Sequence, residues 1–184
     1  MPRDDPRASE PSDAELIARW QRGDERAASD LVNRHADAVQ RYVSSLGLRG
    51  NEQEIVQDTF VRAFGSIGSF RGDSSLRTWL FTIARRLVAD ARRTERRKRE
   101  VVEVQDGDAS TEYDALDSLI AEESRQRMHD AIGRLSPTQR EVFVLRVSEG
   151  LSYKEIAEIV GSTEGAARVH YHNAMRAVKE SLYV

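Results

Sequence analysis

Leu151-Ser-Tyr-Lys-Glu-Ile-Ala-Glu-Ile-Val-Gly161, continued by Ser162-Thr-Glu-Gly-Ala-Ala-Arg-Val-His-Tyr-His-Asn-Ala-Met-Arg-Ala-Val-Lys179, spells two helices joined by a glycine turn. Ser152 and Glu155 stand at the spacing of a capping box, which satisfies orphan N–H groups at a helix start. Ile156, Ala157 and Val160 give this short helix one apolar side. Gly161 supplies the turn, and Ser162 or Thr163 caps the helix that follows. There Ala167, Tyr171, Ala174 and Val178 recur at helical spacing and face inward. Glu164, Arg168, Val169, His172, Asn173 and Arg176 are left on the outer face. A short helix, a tight turn and a longer helix with a polar outer face can place side chains in a DNA major groove.

The surrounding chain fits a soluble helical protein. Of its 184 residues, 39% are hydrophobic and 32% charged, enough for one medium domain or two small ones with modest cores. No apolar run is long enough to span a bilayer, and the first residues carry prolines among charges rather than a signal sequence, so a cytoplasmic location without membrane insertion is expected. The absence of cysteine excludes disulfides and thiolate metal sites. The net charge of −3 conceals an asymmetry. Residues 71–99 hold ten basic residues against three acids, whereas residues 100–123 hold nine acids and neither lysine nor arginine. A positive block followed by a negative one points to a polyanion-binding surface beside a self-masking linker, or to two solvated faces.

Helix signals run along the whole chain, and no alternating strand pattern stands out. Ser12 and Glu15 form a capping box for a helix with Leu16, Ile17 and Trp20, closed by Gly23. Asp24 caps a second helix with the apolar stripe Leu31, Val32, Val39, Tyr42, Val43 and Leu46. Asn51 opens a third, with Ile55, Val56, Thr59, Phe60, Ala63 and Phe64 inward, followed by a loop. A fourth helix buries Leu76, Leu80, Ile83, Ala84, Leu87, Val88 and Ala91 and runs on through the basic stretch. Ser136-Pro-Thr-Gln139 is another capping box, with proline at the first helical position. The expected architecture is all-α: a disordered tail (1–11), an N-terminal helical domain (12–99), a flexible acidic linker (100–116) and a C-terminal helix-turn-helix domain (117–184).

In this order, the parts resemble the extracytoplasmic-function group of bacterial RNA polymerase sigma factors, over residues 13–182. Three stretches carry the resemblance. Glu54-Ile-Val-Gln-Asp-Thr-Phe-Val-Arg-Ala-Phe64 is similar to the family's core-polymerase-binding helix. Ser69-Phe-Arg-Gly-Asp-Ser-Ser-Leu-Arg-Thr-Trp-Leu-Phe-Thr-Ile-Ala-Arg85 is similar to its promoter-melting segment, and Leu151 to Gly161 to the start of its second DNA-binding module. The resemblance implies that the first domain holds core RNA polymerase and opens the downstream promoter element, and that the second reads the upstream element. It implies an anti-sigma protein as a further partner, and neither catalytic residues nor cofactor.

The resemblance assigns residues to each task. Gln57, Asp58, Val61 and Arg62 lie beside or away from the third helix's apolar stripe and form the expected polymerase contact. Phe70, Arg71, Gly72, Asp73 and Ser74 correspond to a pocket for a flipped base, where Gly72 permits a tight turn. Arg85, Arg86 and Arg93 on the fourth helix suit phosphate contact, with Asp90 placed to pair with Arg86 or Arg93. Trp79 and Phe81 stand ready to stack on exposed bases, although Trp79 reads equally well as core packing. In the second domain Arg168 is the candidate for a guanine contact. Asn173 suits an adenine or a phosphate, and His172 a phosphate or a base edge; Thr163 suits a phosphate at the helix N-terminus. Glu164, Val169 and Arg176 complete the upstream set. The sequence departs from the family pattern at Arg86, where many relatives carry asparagine, and at Ala167, Val169, His170 and Tyr171, which leave the recognition helix less basic.

Other functions fit less well. No P-loop, Gly-x-Ser-x-Gly or paired-carboxylate motif is present, and His170 and His172 sit about 200° apart around their helix, unsuited to sharing a metal. A helix-turn-helix regulator that acts without polymerase would account for the second domain and the basic block. It leaves unexplained the pairing of a polar partner-facing helix with an aromatic-flanked basic one in the first domain.

Overall fold

A computed structural model describes residues 10–48, 50–101 and 119–182. Most of the expected tail and acidic linker lies outside these residues. Among the described residues the chain forms eight α-helices, one 3-10 turn and no strand. The helices are α1 (Asp13–Gln21), α2 (Glu25–Ser45), α3 (Glu52–Ser66), α4 (Leu76–Val101), α5 (Leu119–Gly133), α6 (Pro137–Val147), α7 (Tyr153–Val160) and α8 (Glu164–Leu182), and the 3-10 turn spans Ile67–Ser69.

Local chemistry sets most of these boundaries. Reciprocal capping boxes start α1 (Ser12 with Glu15), α6 (Ser136 with Gln139, followed by Pro137) and α7 (Ser152 with Glu155). The Asp24 carboxylate accepts from the Arg26 N–H at the start of α2, whereas the Asn51 side chain makes no cap bond at α3. The α4 start is held by Ser75, whose Oγ accepts from the Thr78 N–H at 3.1 Å. Gly161 ends α7 in the left-handed conformation, with φ +68°. Thr163 Oγ1 then accepts from the Ala166 N–H at 3.1 Å and starts α8, resolving the choice between Ser162 and Thr163.

The stripes read from the sequence face the core, most of their residues buried and Val32, Leu46, Val56, Phe64, Ile83 and Ala91 partly buried against it. Leu31, Val39, Tyr42 and Val43 of α2 meet Ile55, Phe60 and Ala63 of α3 and Leu76, Leu80, Ala84, Leu87 and Val88 of α4 in one core, closed at one end by Leu16 and Ile17 of α1. The C-terminal helices have a smaller cluster of Ala131, Leu135, Phe143, Ala174 and Val178. Their other buried apolar residues, Val142, Leu145, Leu151, Ile156 and Ala157 among them, join the N-terminal core. The two helical groups therefore pack together, α7 against α4 and α6 against α2.

Candidate polymerase and nucleic-acid interfaces

The outward face of α3 is built by what the rest of the helix buries. Ile55, Thr59, Phe60 and Ala63 point into the core, which turns Gln57, Val61 and Arg62 to solvent and leaves Asp58 half-buried. Val61 is 62% exposed, an apolar side chain in the middle of a polar face. An exposed β-branched residue ringed by an amide, a carboxylate and a guanidinium suits a protein partner more than plain solvent.

Between α3 and α4 the chain turns through Phe70 to Ser74. Gly72 has φ +74°, a conformation that L side chains rarely adopt. Arg71, Gly72 and Asp73 are exposed, while Phe70 and Trp79 are half-buried with ring centroids 5.2 Å apart. Trp79 is thus both a packing residue and one wall beside the exposed turn. The structure corrects the expectation for Phe81. Its side chain is fully buried, with its ring 4.7 Å from that of Tyr42 and the Arg77 guanidinium 5.7 Å away, so it offers no face to a base.

Along α4 the basic residues have different surroundings. Arg86 is exposed, and Arg93 is exposed beside Asp90 at 3.7 Å, one of the two pairings expected of that aspartate. Arg85 is engaged elsewhere: its Nε donates to Glu141 Oε1 of α6 at 2.8 Å.

That contact belongs to a charged seam between the two helical groups, which the sequence analysis did not identify. Glu141 also accepts from the Tyr42 hydroxyl at 2.6 Å. Burial, and then the Glu141 carboxylate, push the Tyr42 phenol well above its ordinary pKa and keep it a donor. Glu149, whose side chain is fully buried, takes Arg41 Nε at 3.0 Å on Oε1 and a terminal nitrogen of Arg77 on Oε2. Arg77 also reaches the Glu149 carbonyl at 3.3 Å, and the hydrogen bond to Glu149 raises the Arg41 pKa. Thr78 Oγ1 donates to Glu155, the capping residue of α7, at 3.2 Å. The one sequence signal was weak: acids set directly against buried positions, Glu141 before Val142 and Glu149 two residues before Leu151.

The outer face of α8 carries the expected upstream set. Thr163, Glu164, Arg168, Val169, His172 and Arg176 are exposed, and Asn173 is half-buried. Val169 is 58% exposed. Arg168 pairs with Glu164 at 3.1 Å and lies 4.9 Å from the centroid of the Tyr153 ring, on which Arg146 also rests at 4.8 Å. An exposed pair of this spacing contributes about 0.3–0.5 kcal/mol and an exposed cation–π contact about 0.5–1 kcal/mol. A bidentate guanine contact supplies about 1–3 kcal/mol, enough to draw Arg168 out of this rest position.

Comparison with known proteins gives a consistent pattern. The family profile described as Sigma-70 region 2 matches residues 31–98, and that described as Sigma-70, region 4 matches residues 125–178. The chain is 34% identical over 176 residues to the ECF RNA polymerase sigma-E factor of Escherichia coli K12, covering 91% of this chain and 92% of that protein. It is 34% identical over 171 residues to the ECF RNA polymerase sigma factor BldN of Streptomyces coelicolor, covering 91% of this chain and 65% of BldN. Among solved structures, it resembles CnrH in complex with the cytosolic domain of CnrY, with a TM-score of 0.67, 27% identity and coverage of 92% of this chain and 96% of CnrH. It also resembles the sigma factor RpoE of Bartonella quintana in complex with the anti-sigma factor NepR, with a TM-score of 0.66, 27% identity and coverage of 85% and 96%.

Proposed function

The chain belongs to the extracytoplasmic-function group of bacterial RNA polymerase sigma factors, and on that premise we propose how its surfaces divide the work of promoter recognition and opening. The N-terminal domain (12–99) binds core polymerase through Gln57, Asp58, Val61 and Arg62 of α3. It engages the downstream element through the 70–74 turn, Trp79, Arg85, Arg86 and Arg93. The C-terminal domain (117–184) reads the upstream element with the outer face of α8. The chain supplies positioning and specificity, and the chemistry of RNA synthesis belongs to the polymerase.

The observation that carries this division is the joint placement of a Phe70–Trp79 aromatic wall, an exposed positive-φ turn and the exposed cations Arg86 and Arg93 along one helix. Single-stranded nucleic acid is generally held by aromatic surfaces beside cationic tracks, and a flipped base, which costs a few kcal/mol to extrude, needs a preformed recess. By likeness to RpoE in complex with the anti-sigma factor NepR, an anti-sigma protein is the regulatory partner, and a protein acting on polymerase works in the cytoplasm.

The α3 assignment is tested with Asp58→Arg. We expect this variant to keep its helix content and lose affinity for core polymerase, read by co-sedimentation or by fluorescence anisotropy of labelled protein. Wild-type affinity would remove Asp58 from the interface.

A further inference from the structure

We propose that Val169 reads the 5-methyl group of a pyrimidine in the major groove, and so sets a thymine preference at one position of the upstream element. The inference rests on the reading of α8 as the upstream recognition helix. It names the chemical group that one apolar side chain selects, at a position where the sequence departs from the family pattern.

A single exposed valine on a protein surface is ordinary, and on a helix its branched Cβ makes it a poor choice by propensity alone. Its place on α8 is what gives the exposure of Val169 meaning. At about 100° of turn per residue, Gly165 lies about 40° to one side of it one turn back, and Asn173 about 40° to the other side one turn ahead. His172 and Arg176 fall within about 60° of the same line. Val169 therefore stands at the centre of the outward face. Behind it within the helix, Gly165 and Ala166 offer no side chain or a single methyl, and the space around Gly165 is open. The longer side chains of that turn, Glu164 and Arg168, are paired with each other at 3.1 Å along the neighbouring edge. A surface approaching the first two turns of α8 meets an isopropyl group on the centre line, with the polar groups of His172, Asn173 and Arg176 following it.

A recognition helix brings the residues of its first turns to the base edges. An isopropyl group neither donates nor accepts a hydrogen bond. Laid over the major-groove edge of guanine, adenine or cytosine, it covers polar atoms without pairing them, and each such atom carries its desolvation penalty. Thymine alone among the four bases presents an apolar group there, its C5-methyl. Contact between that methyl and Val169 removes apolar surface of both from water. Selection thus works twice, by attraction to the methyl and by rejection of bare polar edges. Cytosine methylated at C5 offers the same group beside a different polar edge, so the methyl is separable from the rest of thymine. His172 and Asn173, one turn on, supply hydrogen-bonding groups for neighbouring bases.

The test uses the full chain bound to core RNA polymerase, with duplex promoter DNA as the probe. Sites selected from a duplex randomised over the upstream element should hold a thymine at one position that Val169→Ser relaxes, with the other positions unchanged. Each thymine of the selected site, on either strand, is then replaced by deoxyuridine, which deletes the methyl alone. At one position this should weaken the wild-type complex about fourfold, the loss of one methyl-sized apolar contact, and leave Val169→Ala unaffected. With cytosine at that position, 5-methylation should tighten wild-type binding by a similar factor. Both base substitutions read the wild-type chain, so the result does not depend on how a variant folds. The proposal is overturned if the wild-type complex responds to no thymine methyl, if Val169→Ala responds equally, or if methylation of the cytosine has no effect. Arg168→Ala separates this failure from that of the underlying reading. If it alters the selected site while methyl deletion does nothing, α8 reads the upstream element and Val169 takes no part. If Arg168→Ala, Val169→Ser and methyl deletion all leave recognition unchanged, the α8 reading itself fails.

Discussion

At the scale of single residues, the outer face of α8 holds Arg168 in weak, reversible contacts. Arg168 rests against Glu164 and Tyr153, and the cost of releasing it is below the worth of a bidentate base contact. Arg168→Ala should therefore weaken binding to the upstream element by about 1–3 kcal/mol and relax preference at one base pair. Selection of binding sites from a randomised duplex would show this, and an unaltered site would remove Arg168 from the contact set. His35 acts on stability instead. It is buried in α2 with its Nε2 2.9 Å from Asp13 Oδ2. Burial lowers its pKa below 6.5, against the opposing pull of Asp13. The unfolded chain then binds the extra proton first, so the His35 contribution to stability is present above pH 6.5 and declines as pH falls through and below that value. Thermal midpoints should show a drop on acidification that His35→Gln reduces. An identical pH dependence in the two proteins would contradict the assignment.

At the scale of elements, sequence and structure agree where the interactions are local. The capping boxes at Ser12, Ser136 and Ser152 involve partners three residues apart, so they were legible directly, as were the turns at Gly23 and Gly161. The helix-turn-helix depends on the last of these. Gly161→Ala puts a Cβ on a residue at φ +68° with open space around it, so the cost is backbone strain rather than a clash, about 1–2 kcal/mol. Chemical denaturation should show that loss with the fold retained, and a neutral substitution would mean that the turn relaxes into another conformation. Where the sequence reading departed from the structure, packing direction was the cause. Periodicity put Phe81 next to the apolar stripe of α4 without saying that its ring packs on Tyr42 of α2, so a fully buried ring was expected to face DNA. Trp79 shows the same ambiguity, resolved as half-buried against Phe70.

At the scale of the whole molecule, the two helical groups share a core, and the seam between them joins residues far apart in sequence. Arg41 meets Glu149 across 108 positions and Arg85 meets Glu141 across 56, separations at which no local pattern signals contact. The sequence reading of two helical domains therefore identified the parts and left their packing open. The family assignment rests on both halves together, since Sigma-70 region 2 and region 4 match in order along one chain. Its most direct test is to mix the purified chain with bacterial core RNA polymerase and a genomic promoter library and to map transcript starts. Stable binding to core, with starts clustered at sites sharing a two-part upstream motif, is the predicted result. Binding to DNA without core polymerase, or to core without any defined start site, would contradict the account.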